Sequence, residues 1–226
     1  VVPGTAGTAS TGANVSIIGG AATSTDNTTV GGALAFSSGS SSTGNSGEVT
    51  LVSASSALVS GEVKLSTGDS SADMSGAMTL ATGTSSTTSG SVTIQSGDAS
   101  MVSGDVIINA GDSGNLGGSI RLTGGTGDVQ GGSIILSAGT SPDDGLSGSV
   151  SIFSGSTKAG EGGAFAVAAG YSQLATGGSV AVSSGSSSQM GSGSVSIFTA
   201  NSTGAGPSGT VEIKSGTASL SDTGSV

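Results

Sequence analysis

Carboxylates are the one reactive side-chain type this chain holds in number, with 14 Asp and Glu against four Lys and Arg in 226 residues. Acid-catalysed glycoside cleavage needs two carboxyls facing each other across a cleft, one with a raised pKa. The acids are Asp26, Glu48, Glu62, Asp69, Asp73, Asp98, Asp105, Asp112, Asp128, Asp143, Asp144, Glu161, Glu212 and Asp222. Most fall at turn positions, where Asp is an ordinary turn former, or on the outward side of alternating segments. Asp98 and Asp112 hold equivalent places in successive repeats and are expected to stack closely. Such a pair could hold a cation, but the pattern reads better as a solvated turn. No bulky residues surround the acids to build a substrate pocket. The sequence predicts no catalytic residue, and the chain is not expected to be an enzyme.

Other chemistries fare no better. The chain has no His, Cys or Trp, which removes most metal sites, disulfides, thiol redox chemistry and His-based proton transfer. Gly124-Gly125-Thr126-Gly127-Asp128-Val129 comes nearest to a calcium-binding Gly/Asp repeat. Its Asp stands one residue too early and the string occurs once. The Gly-rich loops lack a Walker lysine and a following helix, so nothing points to phosphate. No metal and no cofactor is expected. Three N-glycosylation sequons are present, giving Asn27, Asn201 and Asn14 as candidate acceptors. Asn27 lies in a long irregular interval and Asn201 in a lengthened repeat, while Asn14 falls inside an alternating segment.

The elements that would position these groups must be made from very small side chains. Gly alone contributes 44 residues, aromatics are 2% and charged residues 8%. A flexible Gly/Ser linker is one reading of such a composition. A mean hydropathy of +0.23 and regularly spaced apolar residues argue against it. The net charge of −10 disfavours nucleic acid and anionic membranes as partners. No apolar run approaches the length of a membrane span, so no membrane insertion is expected.

One eight-residue phrase recurs, as in Gly90-Ser91-Val92-Thr93-Ile94-Gln95-Ser96-Gly97. It has Gly first, apolar residues third and fifth, a small residue seventh and usually Gly eighth. Copies open at Gly32, Gly47, Gly61, Gly76, Gly90, Gly104, Gly118, Gly132, Gly148, Gly163, Gly178, Gly193 and Gly209, with a degenerate one at Ala13. From Gly47 on, the interval is 14 to 16 residues. Alternation with β-branched enrichment predicts a strand with one buried face. The glycine that follows suits a turn that needs positive φ or no side chain. The predicted fold is all-β, a single-chain parallel β-solenoid (β-helix) of about 14 coils with 14–16 residues in each. Its core ladder comprises Val63, Leu65, Val92, Ile94, Val106, Ile108, Ile120, Leu122, Ile134, Leu136, Val150, Ile152, Val180, Val182, Val195 and Ile197. A second wall of the interior comes from weaker apolar positions such as Val59, Met74, Val102, Leu116 and Leu146. Residues 1–31 are expected to form an irregular cap-like segment, and residues 32–226 the regular repeats.

The outward fourth positions decide between surface functions. They lack the sustained Thr rank of Thr-rich ice-binding solenoids, and Lys64, Arg121 and Glu212 interrupt the column. Between Ile107 and Ser196 the column is largely apolar or small, and Phe153 and Phe198 stand beside it. Ile107, Ile135, Phe153, Ala166, Ala181 and Phe198 therefore make a candidate lateral-packing face.

From Gly32 onward the phrase resembles the Gly/Ser-rich tandem repeats of secreted proteins from diatoms, oomycetes and related algae. That resemblance implies an extracellular setting and a structural or adhesive role, and it brings no catalytic residue. The combined expectation is a rigid subunit of an extracellular filament or surface appendage. It would assemble with itself end to end and laterally and carry glycans. A binding module, for ice or carbohydrate, is the alternative. Because the chain opens Val1-Val2-Pro3 and stops at Gly224-Ser225-Val226 with a phrase begun, it is expected to be processed or an excerpt of more repeats.

Overall fold

Each repeat divides into two parts whose main chains behave differently. The computed structural model describes residues 12–24, 29–142, 145–219 and 222–226. Within it the phrases run without turn or bend, and from the Gly32 phrase on the segment after each phrase bends. Examples are the bends at 42–44, 71–73, 100–101, 114–116, 158–160 and 188–190, each beginning three residues after the eighth position of the phrase. The chain separates into two units, Val1–Ile108 and Asn109–Val226.

Alternation in the phrase shows in its side-chain contacts. Thr50 Oγ1 donates to Glu48 Oε1 at 2.8 Å, and Arg121 Nε donates to Thr123 Oγ1 at 3.2 Å. Lys214 Nζ pairs with Glu212 Oε1 at 2.9 Å. Residues two apart can meet this way only when both stand on the same side of an extended chain.

Glycine closes the loop between phrases. In eight repeats the N–H of the phrase-opening glycine donates to the carbonyl of the residue that closed the preceding phrase. This bond runs from Gly32 to Gly20, Gly47 to Gly39, Gly118 to Gly111, Gly132 to Gly125, Gly148 to Gly139, Gly163 to Gly155, Gly178 to Gly170 and Gly193 to Gly185, always at 2.8–2.9 Å. Close approach is what demands glycine here. A Cβ on Gly118 would stand 3.2 Å from Ala110 Cβ and 3.3 Å from the nitrogen of Gly111. No described glycine has φ between +20° and +160°, so positive φ is not what places glycine after the phrase.

The bend beyond the joint is held by a hydroxyl. A Ser or Thr two residues after the closing position accepts from an N–H two or three residues further on. Ser41 accepts from Gly44, Ser70 from Asp73, Ser113 from Asn115, Thr157 from Gly160 and Ser172 from Ala175, at 2.9–3.2 Å. These are side-chain turns of the kind Ser and Thr favour.

The expected single-chain β-solenoid is not formed. Among the described residues there is no helix and no β-strand, and the main-chain bonds above tie the end of one phrase to the start of the next without forming a ladder along the phrases. No dry interior exists either, since no described residue is buried. Every member of the predicted ladder is exposed: Val63, Leu65, Val92, Ile94, Val106, Ile108, Ile120, Leu122, Ile134, Leu136, Val150, Ile152, Val180, Val182, Val195 and Ile197 range from 49% to 75%. The joint explains why. A solenoid needs the residues after the phrase to travel back as a second wall. In the eight repeats that carry the bond the loop begins and ends at the same place, so there it is a side excursion from the phrase. The apolar residues expected in that wall, Val59, Met74, Val102, Leu116 and Leu146, are at least 83% exposed instead.

Among the described residues, partial burial is confined to seventh positions and two loop hydroxyls. The half-buried residues are Gly19, Ser53, Ser96, Ala110, Gly124, Ala138 and Thr199, all seventh positions, together with Ser141 and Ser172, both loop hydroxyls. The chain exposes 22031 Å². A folded monomer of its mass exposes about 8,900 Å² and its unfolded chain about 30,000 Å².

Candidate functional site

Each phrase sets two apolar side chains side by side, and the joint fixes which way they face. The seventh residue is held beneath the next phrase's opening glycine, so the third and fifth residues, two and four positions before it, share its side of the chain. Their exposure is graded, with Val63 at 52% and Leu65 at 74%. In the first unit these positions converge. Phe36, Leu51 and Leu65 are the fifth residues of three successive phrases, and with Val49 and Thr50 they line one recess of about 370 Å³. Its only polar side chain is the Thr50 hydroxyl, which is engaged with Glu48. An apolar recess of this size takes hydrocarbon surface and offers no group that could act on a substrate or hold an ion.

The candidate lateral face stands on the other side of the phrase. Ile107, Ile135, Ala166 and Ala181 are fourth residues and Phe153 and Phe198 sixth residues, and all six are exposed. Ile107 belongs to the first unit and the other five to the second. The acids do not gather, since no group of three or more Asp or Glu that could hold a metal occurs among the described residues. Asp98 and Asp112 are both exposed, Asp98 in the first unit and Asp112 in the second. Asn14 and Asn201 are exposed, whereas Asn27, Asp26, Asp143 and Asp144 lie outside the described residues.

Sequence reasoning missed the loop hydroxyls. Ser41, Ser56, Ser70, Ser85, Ser113, Thr157, Ser172 and Ser187 occupy one register, two residues after the phrase closes, and each caps its loop. That recurrence is visible in the sequence, but in a chain so rich in Ser it does not stand out beside the Val and Ile columns. The chain matches no family model, no curated protein and no solved structure.

Proposed function

We propose that the chain is a structural protein that works by assembling with copies of itself through its repeats, as part of an extracellular filament or surface appendage. The observation that carries this reading is the exposure of an apolar pair in every phrase of a chain with no buried residue among those described. Scattered exposed apolar side chains are ordinary on soluble proteins. An apolar pair repeated in every phrase, which three successive phrases of the first unit bring to one recess, is a patch rather than scatter, and such patches mark association surfaces. The local devices support the same conclusion. Glycine joints and hydroxyl caps set the path of the chain without burying its Val, Ile and Leu side chains, so the apolar surface is left for a partner.

The extracellular setting rests on the likeness to secreted algal repeats and on the accessible sequon at Asn201. Sedimentation and electron microscopy of the purified chain test the function. The expected result is a concentration-dependent passage from small species to elongated particles. A chain that stays monomeric at every attainable concentration overturns the proposal.

A further inference from the structure

Within the proposal that the chain self-assembles, we infer which face does it: a second copy lays its phrases along this chain's third- and fifth-position columns and fills the recess between Phe36, Leu51 and Leu65. Three observations carry this. The chain exposes about 13,000 Å² more than a folded monomer of its mass, whereas obligate interfaces bury roughly 2,000–5,000 Å² or more, so the uncovered area is ample for a permanent interface. The fifth residues of three successive phrases line one recess, and among the described residues the one main-chain bond between those phrases is the end joint from Gly47 to Gly39, with none along their lengths. The edges of the extended phrases are thus open to another chain, as in strand addition. The occupant must also present apolar side chains at alternate positions and repeat them every 14 to 16 residues, because the columns do. This chain itself has that period. A small apolar ligand would fill one recess and leave the columns bare; a second copy covers every phrase at once.

The absence of cysteine makes a clean test possible. Four full-length single-cysteine variants are compared: Leu65→Cys and Ile94→Cys at fifth positions, Lys64→Cys and Thr93→Cys at the adjacent fourth positions. Each purified chain is brought to assembling concentration, separated by sedimentation and treated with a maleimide. The expected result is loss of labelling at residues 65 and 94 in the sedimenting fraction, full labelling at 64 and 93, and labelling of all four in the dispersed fraction. Using two repeats keeps the test decisive if one fifth-position variant assembles poorly. Protection of 64 and 93 with 65 and 94 open would move the interface to the outward face and overturn the inference while leaving self-assembly standing. Equal labelling of all four in the pellet also overturns it. Absence of any sedimenting material overturns self-assembly and this inference together.

Discussion

The glycine joint can be tested by one methyl group. In Gly118→Ala the new Cβ would lie 3.2 Å from Ala110 Cβ, 3.3 Å from Gly111 N and 3.4 Å from Gly111 O. Carbon pairs settle at about 3.5–4.0 Å, so relief requires a separation of roughly 0.3–0.8 Å. All three neighbours are main chain or bonded directly to it, so no side-chain rotation can provide that relief. The Gly118 N to Gly111 O bond starts at 2.9 Å and would stretch to about 3.2–3.7 Å, at or past the limit for N–H···O. Losing the bond costs about 0.5–1.5 kcal/mol, and the crowding adds about 1 kcal/mol, the low end for overpacking, because the joint is only half-buried. Alanine also stiffens the open chain, an opposing gain of about 0.4–1 kcal/mol where φ permits it, as it does here. The remainder is about 0.5–2 kcal/mol, a shift of roughly 2- to 30-fold toward the open joint. Amide hydrogen exchange reads this directly. The amide of residue 118 should exchange faster by that factor, while the neighbouring joint amide of Gly132 keeps its parental rate. Adding Ala110→Gly removes the nearest obstacle and should restore part of the protection. An amide at 118 that exchanges no faster than in the parent refutes the account of why the first position is glycine.

Two further outcomes follow from the loops and from the charge. Ser187 Oγ accepts from both Gln189 at 3.3 Å and Met190 at 2.9 Å, whereas Ser113 Oγ accepts from Asn115 alone at 3.1 Å. Ser187→Ala should therefore speed exchange at two amides and Ser113→Ala at one, each by the several-fold that a lost bond of about 0.5–1.5 kcal/mol implies; unchanged rates in both would remove the hydroxyls from the account of the bends. Copies with a net charge of −10 repel one another, and the sequence pI is about 4.1. Lowering the pH from 7 toward that value, or adding salt to shorten the screening length, should raise the sedimenting fraction, and a fraction that falls under both changes would show that like charge is not what opposes assembly.

What the sequence disclosed and what it hid have a common physical origin. Period-two alternation fixes which side chains share a side, and the contacts between Glu48 and Thr50 and between Arg121 and Thr123 display that alternation. The repeat interval was equally plain, since Gly118 to Gly132 and Gly163 to Gly178 each span one phrase and one loop. Alternation does not say what covers the apolar side, however. The same Val-x-Ile pattern suits a column facing its own chain and one facing another. The deciding information sat in the loops, at pairs such as Gly111 with Gly118 and Gly170 with Gly178, whose close approach turns the loop into an excursion. Glycine at the opening positions Gly118 and Gly178 looks like turn chemistry in the sequence, because both a positive φ and a tight joint select it. The candidate lateral face illustrates the same ambiguity. Ile135 and Phe153 are apolar and exposed, but so are the columns on the opposite side, and composition alone does not rank them.

Side-chain size along the phrase does rank them. The third position is mostly Val, as at Val63, Val92, Val106, Val150 and Val195, while the fifth is mostly Leu or Ile, as at Leu65, Ile94, Ile108, Ile152 and Ile197. In each of these five phrases the fifth residue is the more exposed of the two. In an isolated chain an additional methylene at the more open position gains nothing, because it stays in water. It contributes about 0.8 kcal/mol once it is buried. The larger side chain is therefore useful at the fifth position only if that space is filled in the working state. The outward side shows no such order: its fourth positions run through Thr50, Lys64, Thr93, Ile107, Arg121 and Ala166 without a preferred size or polarity. A surface graded in this way, repeated phrase after phrase, is matched to a partner that reaches deepest at mid-phrase, and a second copy entering the recess beside Leu51 and Leu65 does so.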